Sequence, residues 1–284
     1  MSVGRASAPA SSANLGPAFD AMALALERRC SVEAAPADEW KVEHIGTCAP
    51  GPDADDAVLA AAILAVGEDR PLHLRVDNNI PLGRGLGSSS AAFASGALAA
   101  WRAAREDHSV ERLFELVAEL EGHPDNAAAA VYGGLVLTTG TQVHRLPWNP
   151  LLHLVVAVPS EPYATHSARQ VLPTSYPRDV VVRSVARTAS LVAGLMTADE
   201  TLLRSAGGDE LHEGPRSVAR PDTCRLVDTA ISAGAYHACW SGAGPSVLAI
   251  VPTETANAVQ AALTARIDGH GDVLRLEVAT TGAA

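Results

Sequence analysis

Three observations in the 284-residue sequence predict an α+β protein of two lobes. Helical and strand-like segments mix without the strict alternation of a doubly wound sheet. The length corresponds to about two domains at ~150 residues each. A new apolar run also begins just after Leu146, which sets the lobes at residues 1–145 and 146–284.

Taken in order, Ala49 to Ala57 combines prolines, glycine and acids and reads as a loop joining a strand to a helix. Leu72 to Asp77 alternates apolar and polar side chains, then breaks at Asn78, Asn79 and Pro81, the pattern of a strand running into a loop. After the glycines, Ser88 to Arg105 is rich in alanine, with Arg102 and Arg105 near its end, where cations complement the helix dipole. Val110, Leu113, Phe114, Val117 and Leu120 recur at the helical period, so an amphipathic helix ends just before "GHPDN". Two apolar runs follow, "VYGGLVLTTG" and "LLHLVVAVPS", the second a buried strand closed by Pro159. The second half continues with a long helix over Val181 to Met196, a polar helix over Leu202 to Glu213 and the strand "VLAIVP". A helix over Thr255 to Ile267 and the strand "VLRLEVA" complete it.

Hydrophobic residues make up 48% and charged residues 19%, the composition of a globular chain with a sizeable core. The net charge of −11, with no basic block, excludes the electrostatic footprint of a nucleic-acid binder. Anionic ligands must then be held by local donors against the overall field. Cys30, Cys48, Cys224 and Cys239 lack CxxC spacing, which suggests neither zinc nor a disulfide framework. The N-terminus has no apolar core of a signal peptide, and no later run reaches the ~18 apolar residues of a membrane span, so the expected location is the cytoplasm, with no membrane partner. Lys41 is the sole lysine; the other basic residues are arginines.

"PLGRGLGSSSAA" is the stretch built for an anion. Gly83, Gly85 and Gly87 let backbone N–H groups converge without Cβ interference, and the helix after them supplies its positive end and the hydroxyls of Ser88, Ser89 and Ser90. Neither common phosphate motif fits, because no lysine follows the glycines and their spacing is G-x-G-x-G. On the residues alone, a tight turn before an alanine-rich helix stays open as the other reading.

Five further stretches carry a resemblance. "PLGRGLGSSSAA" resembles motif 2 of the GHMP kinase superfamily; "PASSANLGPAFD", Pro9 to Asp20, resembles motif 1 in its homoserine kinase form; "WSGAGPSV", Trp240 to Val247, resembles motif 3. "EGHPDN", Glu121 to Asn126, followed by "YGGLVL", is similar to a block of the homoserine kinases, as are "THSARQVLP" and "ELHEGPR". Ala18 and the wording of "HEGPR" depart from the usual family text.

The resemblance implies a two-lobed α+β GHMP kinase fold, a ribosomal-protein-like N-terminal lobe and an α/β-sandwich C-terminal lobe. It implies a kinase that uses ATP and Mg2+, acts on the small-molecule acceptor L-homoserine and forms a homodimer. ATP would lie along Pro81, Leu82, Gly83, Arg84, Gly85, Leu86, Gly87, Ser88, Ser89, Ser90 and Ala91. Magnesium would be held by Ser89 and Glu119, with Glu121 the second candidate at the same helix end. Asn14 and Asp20 resemble the grip on the acceptor's amino end, and Arg169 and Arg216 the clamp on its carboxylate, with Thr165 adding a hydroxyl. Asp125, Asn126 and His123 form the catalytic group, with Asn126 orienting the acceptor hydroxyl. Two alternatives stay open: a family kinase for another hydroxylated amino acid or small alcohol, and a nucleotide-binding sensor without turnover.

Overall fold

The computed structural model describes residues 2–51, 54–163 and 165–284; the side chains of Thr165 and His166 lie outside that description. It contains two sheets. The first holds β1 (Gly4–Ala13), β2 (Met22–Pro36), β3 (Lys41–His44), β4 (Leu72–Asn78), β5 (Leu135–Thr139) and β6 (Gln142–Leu146). Its path runs β3-β4-β2-β5-β6, with β1 paired antiparallel to the long β2. Four helices accompany it: α1 (Ala57–Val66), α2 (Ser88–Ala104), α3 (Val110–Glu121) and α4 (Pro124–Tyr132). The alanines of α2 allow close approach: Ala94, Ala97, Ala99, Ala100 and Ala103 are fully buried. A Cβ on Gly96 would meet the carbonyl of Val58, on α1, at 2.7 Å.

The second sheet is β7 (Leu152–Pro159), β8 (His237–Trp240), β9 (Val247–Pro252) and β10 (Gly271–Leu276), antiparallel in the order β10-β7-β9-β8. Around it lie α5 (Thr165–Gln170), α6 (Arg178–Thr197), α7 (Glu200–Ser205), α8 (Glu213–Ser217), α9 (Pro221–Ser232) and α10 (Ala256–Ile267). Side chains alternate across a strand, and here both faces are covered. Val155 and Ala157 pack with Leu226, Val259 and Leu263, whereas Leu154 and Val156 join the larger core with Leu191 and Leu195. That double burial is why Leu154 to Val158 of β7 read as an unbroken apolar run.

The chain does not end in the second sheet. Glu277 accepts from Glu27 N–H at 2.9 Å, Ala279 donates to Ala25 at 3.0 Å, and Ser7 and Ala284 exchange bonds of 2.8 and 3.0 Å. The last residues therefore return along β1 and β2, so the two sheets are joined by chain as well as by core.

Two expectations need correction. The polar helix over 202–213 is not one helix: α7 ends at Ser205, residues 206–212 are non-helical, with Gly208 at φ +78°, and α8 begins only at Glu213. α6, at 20 residues and a mean hydropathy of 1.3, does reach the length and apolar character of a membrane span. In this fold Leu191, Gly194 and Leu195 of α6 are buried, and Arg183 and Arg187 pair with Glu210.

Candidate active site

The glycine loop leaves β4 and ends at the first turn of α2, as its sequence suggests. A Cβ on Gly85 would fall 2.1 Å from the carbonyl oxygen of Ser241, and one on Gly87 would fall 1.9 Å from Ser11 Oγ. Both positions have φ above +60°, so glycine is needed for space and for backbone shape. Arg84 turns away from the loop and ties it to the end of β7, donating to Pro159 and Leu82 carbonyls at 2.9 Å and also to that of Ser160. Pro81 and Leu82 lead into the loop, and Leu86 is buried with its carbonyl accepting from Ser11 N–H at 3.0 Å.

Two cavities flank this loop. One, of about 210 Å³, is lined by Asp20, Glu121, His123, Asn126, Arg169 and Arg216 among others; the second, of about 600 Å³, is more apolar and reaches Cys30, His44 and Val76. Gly83, Ser88 and Ser89 line both. Ser90 and Ala91 are fully buried on the inner side of α2 and line neither.

The acidic wall comes from the junction of α3 and α4. Residues two apart on a helix point ~200° away from each other, and that separates the two glutamates. Glu119 is exposed, whereas Glu121 faces the smaller cavity. The reading that put Glu119 beside Ser89 therefore does not match the placement here; Glu121 takes that wall. Its Oε2 lies 3.5 Å from His123 Nε2, and its buried Oε1 has no partner.

Gly122 closes α3 with φ +76° and Pro124 opens α4, so the chain reverses and brings His123, Asp125 and Asn126 together. Asp125, 1% exposed, accepts at Oδ1 from His123 Nδ1 and from Asn126 N–H, both at 2.8 Å. Burial works against a charged His123 ring, but the hydrogen bond and charge of Asp125, with Glu121 beside it, outweigh that and raise its pKa. Asn126 accepts at Oδ1 from Ser11 Oγ at 2.6 Å, which leaves its amide N–H donors for another oxygen.

The opposite wall is the loop after β1, where Asn14, Leu15 and Asp20 all have positive φ. Ala18 is not among these, so the alanine at the family's usual glycine position sits in ordinary backbone. Asn14 is 4% exposed and spent on structure, accepting from Asp20 N–H at 3.0 Å and donating to the Gly242 carbonyl at 2.9 Å. Asp20 meets Arg169 through two hydrogen bonds of 3.0 and 2.7 Å, and that bonding raises the arginine's pKa. Arg216 is 1% exposed; burial, then the nearby Arg169, lower its pKa. Its Nε donates to Ala168 and its Nη1 to His212, at 3.0 and 2.8 Å. Among the described residues no carboxylate lies within ion-pair distance of it. The side chain of Thr165 lies outside the described residues.

"SGAGPS" holds these parts together. Ser241 Oγ donates to Gly85 O at 2.7 Å, and Gly242 N–H donates to Ala13 O at 3.1 Å. Three contributors were not singled out from the sequence: Ser11, Phe19 and His212. The Arg169 and Arg216 guanidinium carbons lie 5.6 and 5.7 Å from the Phe19 ring centre. All three residues sit inside the quoted motifs; His212 meets Arg216 four residues on, but Ser11 with Asn126, Phe19 with the arginines and His212 with Gly16 pair across more than 100 residues, which spacing does not encode.

Comparison with known proteins gives the family and the fold. The GHMP kinases N-terminal domain family matches residues 57–134 and the GHMP kinases C-terminal family matches 191–269. The chain is 37% identical over 285 residues to a homoserine kinase of Lactiplantibacillus plantarum, covering 97% of each. It is 38% identical over 282 residues to one of Listeria monocytogenes serotype 4a, again covering 97% of each. The crystal structure of homoserine kinase from Cytophaga hutchinsonii superimposes with a TM-score of 0.87 at 26% identity, covering 100% of this chain and 97% of that one.

Proposed function

The chain belongs to the homoserine kinase family of the GHMP kinases, and from that premise we propose that it phosphorylates L-homoserine. The γ-phosphoryl group of ATP passes to the side-chain hydroxyl, breaking the β–γ bridge bond and giving O-phospho-L-homoserine, ADP and the released hydroxyl proton in the cytoplasm, on the way to threonine. The observation that carries this reading is Arg216: a buried guanidinium facing the small cavity with no carboxylate in ion-pair range among the described residues. Burying an unpaired cation is costly, and the carboxylate of an amino-acid acceptor relieves that cost.

The two cavities divide the reaction. The larger one, beyond the loop, suits the apolar adenosine end, and the loop's backbone N–H groups and Ser88 and Ser89 hydroxyls suit the phosphates. The acceptor then lies in the smaller cavity, its carboxylate on Arg216 and Arg169 and its ammonium on Asp20. Among the described residues no three metal-ligating side chains cluster. That fits a magnesium ion that arrives on ATP and takes only one or two protein oxygens, here the orphaned Glu121 Oε1 and the Ser89 hydroxyl. Held there, such an ion would neutralise charge on the β and γ phosphates.

Asn126, its Oδ1 fixed by Ser11, turns its N–H donors toward the acceptor oxygen and aims a lone pair along the line of attack. Asp125 holds His123 and the first turn of α4 in place. Phosphoryl transfer through a loose transition state depends mainly on alignment and charge, so Asn126 carries the orienting task without a strong base. ADP release with Mg-ATP against L-homoserine, L-threonine, L-serine, mevalonate and galactose tests the assignment. Turnover concentrated on homoserine is expected; equal or better turnover of another acceptor overturns it. The homodimer is checked by light scattering.

A further inference from the structure

His212 has no exposed surface and stands between the two halves of the acceptor wall. Its Nε2 lies 2.8 Å from the carbonyl oxygen of Gly16, in the loop after β1, and its Nδ1 lies 2.8 Å from Arg216 Nη1. A carbonyl only accepts and a guanidinium only donates, so the two contacts fix the tautomer: Nε2 carries the proton and Nδ1 offers its lone pair. Phe19 stacks on the ring at 5.2 Å with planes 22° apart. Below it, Asp209 Oδ2 accepts from the backbone N–H of His212 and of Glu213, at 2.7 and 2.8 Å.

We propose that His212 is a positioning residue for the acceptor carboxylate: its neutral ring holds the Arg216 guanidinium in the orientation that faces the cleft. The inference rests on the reading that Arg216 receives that carboxylate. Arg216 donates through Nε to Ala168 and through Nη1 to His212. With those two donors fixed, the planar fork cannot swing, and its remaining N–H groups keep one direction. Burial, together with the charge of Arg216, outweighs the pull of Asp209, whose Oδ2 lies 3.7 Å from Nε2, and pushes His212 down to about 4, so the ring stays a neutral acceptor at working pH. Protonation would set a cation against a cation. The link to Gly16 also ties the arginine to the loop that carries Asp20, so the grips on the two ends of the acceptor share one anchor.

Three substitutions separate the ring's tasks. His212→Asn keeps an acceptor near the Nδ1 position, His212→Gln keeps a donor near Nε2, and His212→Phe keeps only the stacking. The expected result is a homoserine KM about 10-fold or more above wild type for the Gln and Phe variants. The Asn variant should lie within about 3-fold, with kcat and the ATP KM little changed in all three. Equal impairment of Asn and Gln, or a loss confined to kcat or the ATP KM, overturns the proposal. Wild-type protein supplies a second readout: two-bond proton–nitrogen NMR should show His212 neutral with its proton on Nε2 between pH 6 and 8. A cationic ring or the other tautomer overturns it. Arg216→Lys distinguishes the two layers. If that change leaves the homoserine KM untouched, the carboxylate reading fails; if it raises KM while His212→Gln does not, only the role of His212 fails.

Discussion

Asn126 is held more tightly than a surface amide needs to be. Ser11 Oγ fixes its Oδ1 at 2.6 Å, its own N–H is bonded to Asp125, and Gly87 leaves just enough room, since a Cβ there would lie 3.0 Å from that same Oδ1. Two distant stretches of chain, at Ser11 and Gly87, thus act on one side-chain amide, while Asp125 fixes the backbone that carries it. Removing the amide should cost alignment more than binding. For Asn126→Ala we expect kcat to fall about 10²-fold, the scale associated with small misplacements of reacting groups, with homoserine KM changed by less than about 3-fold. Steady-state kinetics against both substrates checks this; turnover near wild type would remove Asn126 from its orienting role. The identity of this residue was readable from "EGHPDN", whereas its partner Ser11, 115 residues away, was not.

At the scale of elements, the end of α3 shows what a sequence resolves and what it leaves open. The apolar period of α3 and its capping Ser109 and Gly122 mark the helix to within a residue, and both glutamates lie in its last turn. Choosing between them needs the helix's rotation about its axis at the point where the chain turns, which depends on how α3 packs against α4. Glu121→Gln should raise the magnesium concentration for half-maximal activity several-fold, and Glu119→Gln should leave it unchanged; a magnesium titration of each variant decides. α8 carries a second expectation. Burial pushes Glu213 up to about 8 while its Oε1 accepts from Trp240 N–H at 2.7 Å. The folded chain therefore holds a proton that the unfolded chain releases near 4.5. Stability from this group is full below about pH 4.5 and is lost as pH rises through 8. Glu213→Gln keeps the acceptor and removes the titration. Its melting temperature should exceed wild type by an amount that grows from pH 5 to 8, by about 2 °C for each ~1 kcal/mol in a chain of this length, and then levels off. A constant difference across that range would contradict the buried proton.

Across the whole molecule, the site is a seam rather than a property of either sheet. The glycine loop and the "HPDN" corner come with the first sheet, Arg169 and Arg216 with the second, and "SGAGPS" bonds the two through Gly85 and Ala13. The strands of the first sheet end with β6 at Leu146 and those of the second begin with β7 at Leu152, yet the larger core contains Leu24 and Leu135 alongside Leu154, Leu191 and Ile250. The chain's last residues also pair back along β1 and β2. The strand pattern of "VLRLEVA" reaches Ala279, but it does not say that the pairing partner changes from β7 to β2 after Leu276, and nothing in the spacing announces that the Arg29 and Arg145 side chains hold the carbonyls of Thr280, Thr281 and Gly282. Shared core and returning tail together make the two lobes one cooperative unit. Deleting residues 277–284 removes four backbone hydrogen bonds between the tail and β1 and β2, each worth ~0.5–1.5 kcal/mol, together with the fully buried Ala279. We expect the truncated chain to melt as a single transition some 5–10 °C below the full chain, with the acceptor KM near wild type at temperatures where it is folded. Two separated transitions in calorimetry would mean that the lobes fold independently. An unshifted single transition would mean that the tail contributes no stability to the first sheet.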